Sequence, residues 1–378
     1  MRIGVIFGGR SGEHEVSLES ARSVMAALDK TRYEVVPIGI TREGHWIAGD
    51  VLAALSAGAD TAVSAALLPD PNERALLRVE REAAAPASLS EVARLDVVFP
   101  VLHGPYGEDG TVQGLLELAG IPYVGAGVVG SAVGMDKAIF KHVMAAHGLP
   151  VLPWRLVTQA EWAKRPLAVL DALEAALPYP LFVKPANLGS SVGISKCGDR
   201  AALQAGLAEA LAYDRRVVVE QGIAARELEI SVLGNEEPVA SVVGEIRPRR
   251  EFYDYVAKYL AAPDSDDYSE LIIPADIDAA LSDRLRAMAL EAYRAIDCAG
   301  LGRVDLLLDQ ETGAVYVNEI NTIPGFTRIS MYPKLWEATG VSYPELLDRL
   351  VALAIERHEQ KASLRTSYAT ARDEANTA

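Results

Sequence analysis

Between residues 302 and 325 the chain reads Gly-Arg-Val-Asp-Leu-Leu-Leu-Asp-Gln-Glu-Thr-Gly-Ala-Val-Tyr-Val-Asn-Glu-Ile-Asn-Thr-Ile-Pro-Gly. Two apolar runs, Val304 to Leu308 and Ala314 to Val317, flank Asp309 to Gly313. That pattern predicts a β-hairpin whose loop contains glycine. Side chains alternate along a strand, so Glu319 and Asn321 share one face, and Asp305 lies on the partner strand. Acids held among buried strands are costly to desolvate unless something compensates them. A small set of hard oxygen donors, without thiol or imidazole, suits Mg²⁺ that substrate phosphates also hold. Arg303, two residues before Asp305, is a fixed cation on the same face. Alone, the hairpin also reads as a polar edge with a structural ion pair.

Three further stretches carry chemistry-bearing residues. Lys184 ends an apolar strand, Leu181 to Pro185, and the small, flexible run Ala186 to Ile194 follows it. A loop of that kind, with Gly189, Ser190, Ser191 and Gly193, is suited to covering phosphates with backbone N–H groups. Near the start, the apolar run Ile3 to Phe7 leads into Gly8-Gly9-Arg10-Ser11-Gly12-Glu13-His14-Glu15 and then a helix. Strand, glycine turn and helix form a ligand-binding turn in open α/β sheets, while Glu13 and Glu15 also complement a helix dipole. His103 follows the strand Val97 to Leu102 and precedes a second glycine-rich turn, His103 to Gly110. It is a candidate substrate contact, although a lone histidine is more often packed against backbone.

The elements that position these residues alternate strand and helix. Strands are expected at 33–40, 217–220 and 227–233 as well, with helices near 111–119, 136–147, 200–213, 281–296 and 343–358. Residues 50–95 are alanine-rich with breakers at Pro69, Pro71 and Pro86, and read as an insertion of surface helix and loop. Residues 247–267 hold four aromatics among charges without a period, which suggests a long ordered loop. From about Ala362 the chain is polar and is expected to be disordered. Gly125 to Gly130 matches GxGxxG literally, but Ala145 to Pro150 occupies the place of the required acid, so the match is a decoy.

Bulk properties narrow the classes. With 378 residues and 50% hydrophobic content there is material for two or three domains. A net charge of −16 argues against a nucleic-acid surface. Cys197 and Cys298 form no CxxC motif, so buried thiols in a reducing compartment are expected. The N-terminus reads as a strand, not a signal peptide, and the longest uncharged run, Leu118 to Met135, is too rich in glycine to span a membrane. A cytoplasmic protein without membrane or nucleic-acid partners is expected.

Taken in order, several segments resemble one family. They are the turn carrying Glu13, His103-Gly-Pro-Tyr-Gly-Glu-Asp-Gly, Met-Asp-Lys137, Lys184-Pro, Gly189-Ser190-Ser-Val-Gly193, Phe-Tyr-Asp-Tyr-Val-Ala-Lys258-Tyr259, Gly-Arg303-Val-Asp305 and Asn-Glu319-Ile-Asn321-Thr-Ile-Pro-Gly325. Together they look like the D-alanine–D-alanine ligases of the ATP-grasp superfamily. The resemblance implies a three-domain α/β fold: an N-terminal open parallel sheet (1–125), a central lid domain (126–221) and a C-terminal domain (222–361) clasping ATP. It assigns Asp305, Glu319 and Asn321 to two Mg²⁺ ions, with Mn²⁺ as a substitute. Lys137, Lys184, Lys258 and the Gly189, Ser190, Ser191 loop go to the phosphates, Glu220 to adenine and Glu227 to ribose. Glu13 would hold the amine of the first D-alanine, with His103 near it. Ser190, Tyr259, Arg303, Gly325 and Ser330 would close over the reacting carboxyl and the second substrate. D-serine or D-lactate as second substrate is the alternative. The family is usually dimeric, so a homodimer is expected.

Overall fold

A computed structural model describes residues 1–57, 62–80, 86–189, 191–247, 269–327 and 329–365. Ser190, Lys258 and Tyr259, with most of the aromatic stretch and the last residues of the tail, lie outside the described residues.

The first sheet contains β1 (Arg2–Gly8), β2 (Glu34–Ile40), β3 (Trp46–Gly49), β4 (Ala62–Leu67), β5 (Ala75–Glu80), β6 (Ser88–Arg94) and β7 (Val97–Val101). Their order is β6-β5-β4-β3-β2-β1-β7. The continuous apolar runs of β1 and β7 make its parallel centre with β2, as expected of strands buried on both faces. Helices α1 (His14–Ala27), α2 (Val51–Ala57) and α3 (Thr111–Leu118) belong to this part. Residues 50–95 are not only helix and loop. Three antiparallel strands within them continue the sheet beyond β3. Six of the seven residues of β6 are exposed, so that strand has no buried stripe to betray it, and its pairing to β5 holds it.

Helices α4 (Val128–Met135) and α5 (Lys137–Ala146) follow. Asp136 separates them and caps α5 by accepting from the N–H groups of Ala138 and Ile139. The second sheet, β8 (Trp154–Thr158), β9 (Leu181–Pro185), β10 (Ser195–Cys197) and β11 (Arg216–Gln221), is antiparallel in the order β10-β9-β11-β8. It carries α6 (Gln159–Lys164), α7 (Pro166–Ala176) and α8 (Arg200–Tyr213). The third sheet holds β12 (Ala225–Gly234), β13 (Val239–Arg247), β14 (Glu270–Ile272), β15 (Gly300–Asp309) and β16 (Val315–Asn321), ordered β14-β13-β12-β15-β16. Helices α9 (Ala279–Ala295), α10 (Met331–Thr339) and α11 (Tyr343–Ala362) complete it. The expected hairpin is therefore β15–β16, and Glu319 and Asn321 stand at its far end.

The cores do not follow the chain segments. Ile3, Val5, Phe99 and Val101 share one cluster with Phe326, Tyr332, Trp336, Leu346 and Leu350, so the last two helices close the first sheet. Phe140 and Met144 of α5 are buried with Val304 and Val317 of the third sheet. Residues 126–150, grouped by sequence with the central lid, thus share their core with the C-terminal sheet. Periodicity shows which face of a helix is apolar but not which sheet receives it. Among the described residues no helix is long and apolar enough to cross a membrane. Cys197 and Cys298 are both free and buried.

Candidate active site

Strand register sets the acidic row. Asp305 lies opposite Glu319 on β16 and opposite Glu229 on β12, while Arg303 lies opposite Asn321. Val304 and Leu306 point the other way into the core, as the alternation requires. Three carboxylates therefore stand side by side on one face of three strands. The Arg303 guanidinium spans two of them. It donates from Nε to Asp305 Oδ1 at 2.7 Å and from Nη2 to Oδ2 at 2.6 Å, and its Nε lies 3.0 Å from Glu229 Oε2. Asn321 Nδ2 donates to Asp305 Oδ2 at 3.0 Å, and Lys137 Nζ is 3.5 Å from Glu319 Oε2.

This place fits a divalent cation. Two acids and an amide on adjacent strands offer hard oxygen donors, and two protein cations lean on the two carboxylates. Among the described residues no three His, Cys, Asp or Glu side chains form a metal cage by themselves. Mg²⁺ keeps water and phosphate oxygens in its shell and takes few protein ligands.

A second charge cluster lies between α5 and the second sheet. Glu220, at the end of β11, accepts from Lys184 Nζ at 2.6 Å and from Lys141, whose ammonium is buried with it. Burial works against the charge of Lys184, but Glu220 outweighs it and holds the lysine above its ordinary pKa. For Lys141 burial prevails over Glu220, and its pKa falls. Burial would raise the Glu220 pKa, yet the two lysines together keep it low. Glu227 adds to the field that favours Lys184 as a cation. Lys184, which Glu220, Glu319 and Glu227 together hold as a cation, is thus a fixed positive charge that a polyphosphate could meet.

The third group faces the first sheet. Glu13 is buried at the start of α1, and its N–H donates to Ser11 Oγ, which in turn donates to the His103 carbonyl. A Cβ on Gly189 would sit 2.7 Å from Glu13 Oε2, so the loop after β9 passes directly against that carboxylate. Ser191, two residues on, has φ of 58°. His103 is buried between the Ile323 carbonyl, 3.0 Å from Nδ1, and Ser20 Oγ, 3.2 Å from Nε2. The carbonyl can only accept, so Nδ1 carries the proton, and burial keeps the ring neutral by lowering its pKa. Lys137, Glu13, His103, Arg303, Glu319, Asn321, Gly325 and Ser330 all border one cavity of about 460 Å³. Ser330 Oγ accepts from the Thr327 N–H at 3.1 Å, and a Cβ on Gly325 would approach that oxygen to 2.9 Å.

Sequence reasoning had not singled out Lys141, Glu229 or Glu108 for roles. Lys141 stands one helical turn after Lys137, and Glu229 lies two residues after Glu227 on one strand face. Those spacings were the available signals. Glu108 accepts from the Gly104 N–H at 2.7 Å and from the Ile323 N–H at 3.1 Å, tying two loops distant in sequence. Burial, then the neighbouring Glu13 charge, push its pKa up to about 8. The folded chain therefore binds more protons than the unfolded chain between about pH 4.5 and about pH 8, and stability falls as pH rises through that window. Glu108→Gln cannot titrate. Its thermal midpoint, scanned from about pH 5 to about pH 8, is expected to fall less than that of the parent. Parallel curves would place the titration elsewhere.

Two sheets facing each other across lysines and an acidic hairpin, beside an N-terminal α/β sheet, are the architecture of an ATP-grasp ligase. The family model described as the D-ala D-ala ligase N-terminus matches residues 2–126, and that for the C-terminus matches 143–352. A D-alanine–D-alanine ligase of Heliobacterium modesticaldum is 54% identical over 361 residues, covering 95% of this chain and 96% of that protein. One from Geobacillus kaustophilus is 49% identical over 371 residues, covering 97% and 98%. Among solved structures, the D-alanine-D-alanine ligase from Coxiella burnetii has a TM-score of 0.78 at 34% identity, covering 96% of each chain. VanG D-Ala:D-Ser ligase from Enterococcus faecalis has a TM-score of 0.80 at 36% identity, covering 93% of this chain and 99% of that one. The chain belongs to the D-alanine–D-alanine ligase family.

Proposed function

We infer that the protein joins two D-alanines to D-alanyl-D-alanine with conversion of ATP to ADP and phosphate, a step that supplies the peptidoglycan precursor. The observation that carries this reading is the cavity itself. Its lining brings Glu319, Asn321, Arg303 and Lys137 together with Glu13 and Gly189, and Asp305 stands directly behind Arg303, which it holds.

Amide formation from a carboxylate is uphill in water, so the carboxylate of the first D-alanine takes the γ-phosphoryl group of ATP and ADP leaves. Attack of one anion on another is opposed by roughly 4 kcal/mol per unit pair at about 4 Å and an effective dielectric near 20. Lys137 and Lys184 offset that repulsion, and Lys258 is assigned with them on sequence grounds. Asp305, Glu319 and Asn321 would hold Mg²⁺, which supplies further charge neutralisation at the phosphates; two ions and acceptance of Mn²⁺ are part of the proposal. Glu13 binds the ammonium of the first D-alanine, and neutral His103 packs beside it. The amine of the second D-alanine then attacks the acyl carbon, loses a proton, and phosphate departs. Arg303 and the Gly325 N–H face the oxyanion, and Ser330 borders the second substrate. Glu220 and Glu227 serve the nucleoside end, the first by positioning Lys184. The loop from Gly189 through Ser190 and Ser191, together with Tyr259, keeps water from the acyl phosphate. Three domains with boundaries near 125 and 221, a homodimer and a cytoplasmic setting remain part of this reading.

Phosphate release from Mg-ATP, measured with D-alanine, L-alanine, D-serine or D-lactate, is the test. Release matched by D-alanyl-D-alanine, and dependent on D-alanine, is the expected result. A folded protein that binds ATP without D-alanine-dependent turnover would overturn the reading. Faster turnover of a mixed pair with D-serine would move the second-site assignment to the alternative.

A further inference from the structure

Glu229 has no part in the chemistry described above, yet it occupies the third place in the acidic row. It is buried and faces the Arg303 Nε at 3.0 Å, while the same guanidinium makes two hydrogen bonds to Asp305. Arg303 thus uses both Asp305 oxygens, the atoms that a divalent cation on Asp305 and Glu319 would need. A cation arriving there competes with the guanidinium for those oxygens, and its charge repels it. A largely enclosed guanidinium that loses its only carboxylate is disfavoured, but here one partner remains within contact distance.

We propose that Glu229 is a positioning residue that takes over Arg303 when a divalent cation claims Asp305, so that metal loading turns the guanidinium from the metal face toward the reacting carboxyl. The inference rests on the metal reading of Asp305 and Glu319. The register supports it: Glu229, Asp305 and Glu319 are direct neighbours across β12, β15 and β16, and Arg303 reaches from the adjoining rung. A short swing of one side chain changes its partner without moving a strand. Arg303 is planar and carries five donors, which lets it change from two bonds on Asp305 to a fork on Glu229.

The test measures Mn²⁺ binding to the full chain in the presence of ADP, counting free ion by electron paramagnetic resonance. Glu229→Asp keeps the negative charge near the metal but withdraws the carboxylate from the guanidinium by one methylene. Its Mn²⁺ affinity is expected to fall about tenfold, the scale on which partners of metal ligands act. In an Arg303→Met background the same Glu229→Asp change is expected to have no effect, because Glu229 acts only through Arg303. Parent-like affinity in folded Glu229→Asp would overturn the proposal. An equal loss in the Arg303→Met background would overturn it in favour of Glu229 as a direct ligand. Asp305→Asn is the control for the underlying reading. If that variant binds Mn²⁺ like the parent, the metal assignment itself fails; if it loses the ion while Glu229→Asp does not, only the exchange fails. Should Glu229→Asp not fold, Glu229→Gln compared alone and with Arg303→Met gives the same decision from whether the two effects couple.

Discussion

Asp305→Asn is expected to lower kcat by roughly 10³-fold or more while the protein stays folded. The substitution keeps the shape of the side chain and one oxygen, but removes the charge that a divalent cation needs at that position. Folding should survive because Arg303 retains an ion pair with Glu229 at 3.0 Å and because Val304 and Leu306, which seat the strand, are untouched. The measurement is turnover beside far-ultraviolet circular dichroism, with Mg²⁺ varied over a wide range. A loss that added Mg²⁺ largely restores would indicate weakened affinity at an otherwise intact site. A loss below about tenfold would remove Asp305 from the proposed chemistry altogether.

Glu220→Leu should do comparable damage by a different route. Glu220 is the shared partner of Lys141 and Lys184, and Lys141 is almost wholly enclosed. Removing one member of a buried pair costs about 3–5 kcal/mol, because the remaining charge stays desolvated. That loss is expected as a lowered urea midpoint together with a raised KM for ATP, since Lys184 loses its anchor. The pH dependence has a definite sign. With Glu220 gone the already lowered pKa of Lys141 drops further and Lys184 loses the main cause of its raised pKa, so the folded chain binds fewer protons than the unfolded one at Lys141, and stability rises with pH. The gap between variant and parent should therefore narrow toward about pH 10, where an unfolded lysine begins to lose its proton. Adding Lys141→Met to Glu220→Leu is expected to recover part of the stability but not the ATP affinity. If Glu220→Leu is as stable as the parent at neutral pH, the cluster is better solvated than its burial indicates.

Much of the placement of the candidate site residues was legible because it is local. Gly-Arg303-Val-Asp305 and Asn-Glu319-Ile-Asn321 lie on strands whose period of two dictates which residues share a face, and the structure has that face. Asp136 before α5 and the apolar runs of β1, β7 and β9 were readable for the same reason: capping and strand burial depend on near neighbours. The strands between 62 and 94 were not, since their pairing supplies what their composition lacks. The glycines at 125–130 also needed the structure. Gly125 accepts from Arg357 through its carbonyl, and a Cβ on Gly130 would lie 2.8 Å from the Asp297 carbonyl. They serve close packing against Arg357 of the last helix and against the turn at Asp297, in keeping with their reading as a decoy.

By itself, the sequence determined the acidic hairpin, the lysines, the glycine turns and, through their order, the family. Each depends on spacing along the chain. Only the tertiary structure decided that Arg303 lies across Asp305 and Glu229, that Lys141 shares Glu220 with Lys184, and that Glu108 joins Gly104 to Ile323. These partners come from different strands, helices or loops, and the energy of a buried charge is set by what surrounds it in space.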